Sequence, residues 1–264
     1  AIVWTLQIRS MRDQLKERYG KPHLSYSSMK YALGDMRQWE KYMRGTLFKE
    51  SDALRFGSLY DCLLLTPHEA PNQYIVMDEE DLTKGIKSNN PKLTKVYKER
   101  VQVFSETAKD SGRTVVSSDD WKKAEDMITR LDDEGLLHSV LSGGQPQVEF
   151  NEDIDGVPLK GFIDYLHPDF VCDSKSTRSM SKFRYDVGSF CYDIQAYIYT
   201  LVTGKDEFYW LVQEKTDPYY PGLVRCSEKT LFSGEMKFNE ALTNIQEWMA
   251  RDEEELEGYA KFEV

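Results

Sequence analysis

Apolar residues recur at helical spacing from the start of the chain. Leu6, Met11 and Leu15 sit among charged residues until Gly20-Lys21-Pro22 ends the segment. A second helix is expected from Ser27 or Ser28 as N-cap, through Met29, Leu33, Met36 and Trp39/Tyr42, to about Gly45. After Phe56-Gly57, residues 58–65 are apolar and poor in β-branched side chains, and Thr66-Pro67 closes them, which predicts a buried helix. Residues 78–112 are dense in charge and weak in periodicity, and 84–92 read as a mobile loop in a flexible rim. Ser118 caps a predicted helix over 119–137 with Trp121, Ala124, Ile128 and Leu131 on one face. Strands are expected at 147–151, 159–166 and 170–176. A helix follows at about 187–201, then a strand at 207–213 and a last helix at about 233–249. The pattern is that of an α/β chain: a helical part over about 1–140 packed on a core over about 141–264, in one domain.

Composition narrows the class. Of the 264 residues 40% are hydrophobic, too many for a disordered chain, and the net charge of −11 argues against a uniformly basic nucleic-acid binder. No window approaches the roughly 18 apolar residues of a membrane span, so no membrane partner is expected. Ala1-Ile2-Val3-Trp4 carries no signal-peptide order, which leaves secretion unsupported. Cys62, Cys172, Cys191 and Cys226 are scattered without a CxxC pair, as expected of reduced cytoplasmic thiols rather than a metal cluster.

The informative stretch runs from Leu159 to Thr177. His167-Pro168-Asp169 between two apolar runs suggests a hairpin, and with the loop at 167–170 the antiparallel register puts Asp164 opposite Asp173. Alternation then places Asp173 and Lys175 on one face, and Ser174 offers that face only its backbone carbonyl. Opposed carboxylates repel, and a bound cation would remove that repulsion. Hard oxygen ligands describe a Mg²⁺ site, beside which a lysine can orient or deprotonate water for phosphodiester hydrolysis. Glu149 on the preceding strand is a further candidate ligand, and Tyr192, Gln195 and Tyr199 share one helix face from which they can reach a DNA phosphate or sugar.

The order Lys160, Asp164, Asp173-Ser174-Lys175, then Gln195-x-x-x-Tyr199 resembles the PD-(D/E)xK nuclease superfamily, in its RecB-like branch. Leu24–Met29, Phe56–Pro67 and Gly112–Val116 look like the exodeoxyribonuclease VIII (RecE-type) exonucleases of phage and prophage recombination. The resemblance implies a mixed central sheet flanked by helices, and a metal-dependent enzyme using Mg²⁺ or Mn²⁺. Such an enzyme degrades linear double-stranded DNA from its ends, inside the bacterial host cell, to provide single strands for an annealing protein. It assigns metal binding to Asp61, Asp164, Asp173 and the Ser174 carbonyl, and catalysis to Asp164, Asp173, Lys175 and Gln195. In one respect the chain departs from the pattern: Asp61 stands where the family usually has a histidine, so a hard oxygen replaces a softer imidazole. The absence of a GxxxxGK[ST] loop fits a reaction without ATP.

Two rivals remain at this level: another PD-(D/E)xK nuclease of endonuclease or Cas4-like type, and a catalytically silent DNA-end-binding protein. An acidic protein must also meet a polyanion through a localised basic path. Candidates are Lys84, Lys87, Lys92, Lys95 and Lys98 in the rim, and Arg178, Lys182 and Arg184 after the Asp173 strand. Such a path suits a homo-oligomeric ring of three or four subunits.

Overall fold

The computed structural model describes residues 9–47 and 51–251; Leu6 and the acidic run at 252–255 lie outside them. The chain begins with helices α1 (Met11–Tyr19), α2 (Tyr26–Ala32), α3 (Met36–Met43), α4 (Asp52–Leu65) and α5 (Ala70–Gln73). Strand β1 (Tyr74–Met77), helices α6 (Glu79–Thr83) and α7 (Lys95–Asp110), strand β2 (Thr114–Ser117) and helices α8 (Ser118–Asp133) and α9 (Leu136–Val140) follow. The second half holds β3 (Gln145–Ile154), β4 (Val157–Leu166), β5 (Phe170–Thr177), α10 (Phe183–Ser189), α11 (Tyr192–Thr203), β6 (Glu207–Glu214), β7 (Pro221–Arg225) and α12 (Glu228–Met249).

Strands β3 to β7 form one sheet in chain order, antiparallel except for the parallel pair β5–β6. Side chains alternate across β5 and β6, so Val171, Trp210 and Val212 bury on the face covered by α1, α2, α3, α11 and α12, while Cys172 and Leu211 bury on the face covered by α4 and α8. The sheet is thus enclosed on both sides, as its near-continuous apolar central strands require. A separate parallel pair, β1–β2, lies beside α7 and α8.

Several boundaries differ from the pattern-based expectation, each for a local reason. The predicted helix from 27 to 45 is two helices, because the Asp35 side chain accepts from the Arg37 amide and starts a new one. Its cap is Ser25, with Ser28 completing a capping box. Helix α4 begins six residues before Ser58, capped by Ser51. Helix α7 occupies most of what reads as a rim. Ala108 is its only buried residue, so its apolar period is faint, and Lys95–Glu99 supports its exposed side. The 84–92 loop is tied down by Arg100, which donates to the Leu82 and Lys84 carbonyls at 2.9 and 2.8 Å, and by a Lys92–Glu79 ion pair. Gly135 (φ 71°) ends α8 short of residue 137. Strands β1, β2 and β7 span four or five residues, too few to show a period. Among the described residues no helix is long and apolar enough to cross a membrane.

Helix α12 docks on the start of α11 through Gly234, where an added Cβ would lie 2.1 Å from the Asp193 carbonyl oxygen. Backbone cannot yield as a side-chain tip does, so Gly234→Ala should lose about 1–3 kcal/mol to overpacking, more than its helix-propensity gain of roughly 1 kcal/mol. Urea unfolding that finds the variant as stable as wild type would contradict this contact.

Candidate active site

The site forms where two strands part. Strands β4 and β5 pair only at Leu166↔Val171 and Tyr165↔Cys172, so the register predicted from the hairpin holds but the ladder stops one pair before Asp164 and Asp173. On its other edge β4 skips a pair at Asp164, opposite Gln147, whose backbone is left-handed (φ 51°). Asp164 uses this opening: its Oδ2 accepts from the Ser174 amide at 2.9 Å, where a ladder bond would otherwise lie. Further along β4 the gap is filled by Leu24, bridged to Leu159 with hydrogen bonds of 2.8 Å on either side.

Parting strands leaves backbone groups to satisfy. The Phe162 carbonyl accepts from the Tyr199 hydroxyl at 2.7 Å, and the Gln195 amide donates to Asp173 Oδ1 at 2.7 Å and to the Tyr199 hydroxyl at 3.3 Å. Gln195 and Tyr199 are both buried. This corrects the expectation that they touch DNA: they hold Asp173 and the edge of β4, and α11 carries them on its buried face. Tyr192 does face the site, its ring centroid 4.9 Å from Lys175 Nζ.

Asp173 is 1% exposed and forms an ion pair with Lys175, whose side chain is 17% exposed, and Asp61 and Asp164 are partly buried. The cluster therefore opens to solvent past Lys175 and Asp164. Asp61 arrives from α4, on the other face of β5, where the Ser174 hydroxyl donates to it at 2.8 Å. Ser174 thus offers both its amide and its hydroxyl to carboxylates, beyond the carbonyl alone. Helix α4 is pinned by the preceding residue: buried Tyr60 donates to Gln213 Oε1 at 2.7 Å, and the Gln213 amide donates to the Met127 and Tyr219 carbonyls at 2.7 and 3.1 Å. Nothing in the sequence marked Tyr60 or Gln213. Glu149 does not join the aspartates; it pairs with Lys160 at 2.7 Å across the β3–β4 ladder.

Burial, then the Asp164 charge, drives Asp61 well above the usual carboxylate range. Asp173 is pushed up to about 7, chiefly by burial, with Asp164 adding to the rise and Lys175 opposing it. Burial pulls Lys175 down, but Asp173 and Asp164 outweigh it and leave the lysine raised, so it holds its proton. Three carboxylates against one ammonium lack positive charge. Among the described residues no three or more His, Cys, Asp or Glu groups stand where they could together hold a metal ion. Oxygen-only donors and excess negative charge nonetheless fit a hard divalent cation, which commonly takes one or two carboxylates and completes its shell with water.

Beyond the C-terminal end of β5 lie exposed Arg178 and Lys182. Lys215, whose amide donates to the Thr177 carbonyl at 2.8 Å, has its pKa lowered by burial and then by Lys123 and Arg178. None of these three cations has a carboxylate within salt-bridge distance among the described residues, in contrast to Lys92 and Lys95 in the rim, which pair with Glu79 and Glu99. Lys123 and Lys215 were invisible in the sequence because distant elements bring them together.

A five-stranded mixed sheet clad by helices, with Asp164, Asp173 and Lys175 at a strand divergence, is a PD-(D/E)xK nuclease core. The chain belongs to the family described as PDDEXK-like domain of unknown function (DUF3799), whose model matches residues 25–258. Among solved structures it is similar to one described as "Putative exonuclease" from Eubacterium rectale, with a TM-score of 0.59 and 16% identity over 96% of this chain and 94% of that one. A second, SSO0001, has 15% identity over 81% and 91% of the two chains, and its TM-score of 0.32 is too low to bear on the fold. No curated protein matches.

A carboxylate raised in the folded state binds more protons folded than unfolded between the two pKa values. Its stabilising contribution is therefore fullest below the unfolded value of 3.8 and is lost as pH rises through about 7. In EDTA, Asp173→Asn should gain stability relative to wild type as pH goes from 5 to 8. A difference in melting temperature that stays constant over that window would show that Asp173 is not held this way.

Proposed function

We propose that the protein is a divalent-metal-dependent, ATP-independent exonuclease that degrades linear double-stranded DNA from its ends, in the manner of the RecE-type enzymes its motifs resemble. The observation that carries the hydrolytic reading is the Asp61, Asp164, Asp173 and Lys175 cluster at the mouth of the β4–β5 divergence. The exonuclease reading rests on the order of motifs along the chain, and the naming of the Eubacterium rectale protein as an exonuclease agrees with it.

Asp61, Asp164, Asp173 and the Ser174 carbonyl would hold Mg²⁺ or Mn²⁺, which supplies charge neutralisation at the phosphate and a more acidic water. Gln195 fixes the Asp173 carboxylate, as partners behind a ligand do. Lys175 sets its ammonium against the scissile phosphate and stabilises the charge that develops there; it acts as a base only once Asp173 and Asp164 are neutralised, because they are what hold its proton. Arg178, Lys182, Lys123 and Lys215 receive the flanking phosphates. The released single strand passes to an annealing protein.

Labelled linear and circular duplexes incubated with Mg²⁺, Mn²⁺ or EDTA test the reading: only linear DNA should be lost, only with metal, and without ATP. Asp173→Ala and Lys175→Ala should reduce degradation to background. Gln195→Ala should lower metal affinity or activity about 10- to 100-fold. Asp61→Ala should weaken activity, and Asp61→His should restore part of it with a greater preference for Mn²⁺. Wild-type rates in the Asp173 or Lys175 variant would sink the mechanism, and cutting of circles would favour an endonuclease.

We also propose that the chain works as a trimeric or tetrameric ring whose basic residues line the DNA path. Light scattering should find a particle of three or four times 30.7 kDa, and a particle of that single-chain mass that still degrades ends would remove the ring.

A further inference from the structure

We propose that Phe190 is a stacking platform for an unpaired nucleotide base of the DNA strand held at the site. Naming nucleic acid rests on the nuclease reading, but the placement of the ring stands on its own geometry. Cys191, between α10 and α11, has a left-handed backbone (φ 58°, ψ 36°), a strained conformation for a residue with a side chain. On a continuous helix residues two apart do not face each other. The break at Cys191 changes that: the Phe190 and Tyr192 rings meet with centroids 5.6 Å apart and planes tilted by 35°. The turn is clamped from α2, where the Tyr26 hydroxyl donates to the Phe190 carbonyl at 2.5 Å.

The result is a row from the reacting centre to solvent. Lys175 Nζ lies 4.9 Å from the Tyr192 centroid, Tyr192 contacts Phe190, and Lys30 Nζ lies 5.6 Å from the Phe190 centroid. Tyr192 is partly buried, whereas Phe190 is 45% exposed. A single exposed aromatic is ordinary. This one is held by a strained, clamped turn, touches the ring beside Lys175, and has the Lys30 ammonium over its own ring. Aromatic faces for bases beside an ammonium group for phosphates are the chemistry of single-strand binding, and Lys30, which has no carboxylate within salt-bridge distance among the described residues, favours a polyanion over a neutral apolar partner. A strand separated at the duplex end would lay a base on Phe190 while its phosphate approaches Lys175.

The test needs no hydrolysis. Fluorescence anisotropy in EDTA would follow a labelled 12-mer of deoxythymidine and a 12-mer of abasic residues. Wild type should bind the thymidine strand about tenfold more tightly than Phe190→Ala does, Phe190→Trp should restore binding to within about twofold, and wild type should bind the abasic strand as weakly as Phe190→Ala binds thymidine. Equal affinity of wild type and Phe190→Ala for thymidine, equal affinity of wild type for both strands, or no binding by wild type would overturn the platform. Rescue by Trp separates stacking from a loss of folding. Phe190-dependent binding by a protein that degrades no DNA would refute the nuclease reading alone, and degradation without Phe190-dependent binding would refute the platform alone.

Discussion

Strands β4 and β5 stay paired for only two residue pairs, and the site is a consequence of that separation. A sheet that opens in its middle exposes backbone donors and acceptors that must be satisfied in an apolar setting. Here side chains with chemical potential take up those groups. The Asp164 carboxylate receives the Ser174 amide, and the Tyr199 hydroxyl serves the Phe162 carbonyl. Gln195, one helical turn before Tyr199, is then in place to hold Asp173. One gap in the ladder thus fixes two carboxylates, and the helix that closes it orders their surroundings.

The electrostatics follow from the same gap. Burial works against ionised Asp61 and Asp173, and Asp164 adds like charge to both, while Lys175 is the ammonium ion-paired within the cluster. Such a centre has a deficit of positive charge that an external cation can fill. The surroundings continue the theme. On a chain with a net charge of −11, Lys123, Arg178 and Lys215 gather near the end of β5, close enough that their mutual repulsion helps depress Lys215. The mutual repulsion of these cations is what a polyanion laid across them would relieve.

Two buried polar contacts hold the frame. Tyr60 and Gln213 fix the helix that delivers Asp61. Asp193, buried at the start of α11, accepts from Lys237 at 2.6 Å and from Ser233 at 2.8 Å on α12, with Gly234 permitting the close approach. Removing the partly exposed Lys237 would leave the buried Asp193 carboxylate uncompensated, so this contact resists change more than its net worth would suggest. It anchors α11 just past the strained Cys191, where Tyr192 turns toward Lys175.

The central β4–β5 hairpin and its register were legible because a Pro-Asp loop between two apolar runs leaves little choice of pairing, and that register alone brought Asp164, Asp173 and Lys175 together. Helix α8, with its strong apolar face, was legible for a related reason: burial imposes a period on the sequence. The single helix expected at about 187–201 was not, because left-handed Cys191 divides that stretch into α10 and α11. Helix α7 was not, because a helix with one buried residue needs no such period, and β1, β2 and β7 are too short to display one. The roles of Gln195 and Tyr199 were read on the wrong side, toward DNA, because spacing gives a shared helix face but not what that face meets. Glu149 was placed near the aspartates by strand adjacency, whereas its carboxylate pairs with Lys160, diagonal to it across the β3–β4 ladder. The sequence by itself determined which residues share a strand or a helix face, since backbone period governs that locally. Only the tertiary structure decided which face looks inward, where the ladder stops and which charges converge from distant elements, because those depend on packing between segments far apart in the chain.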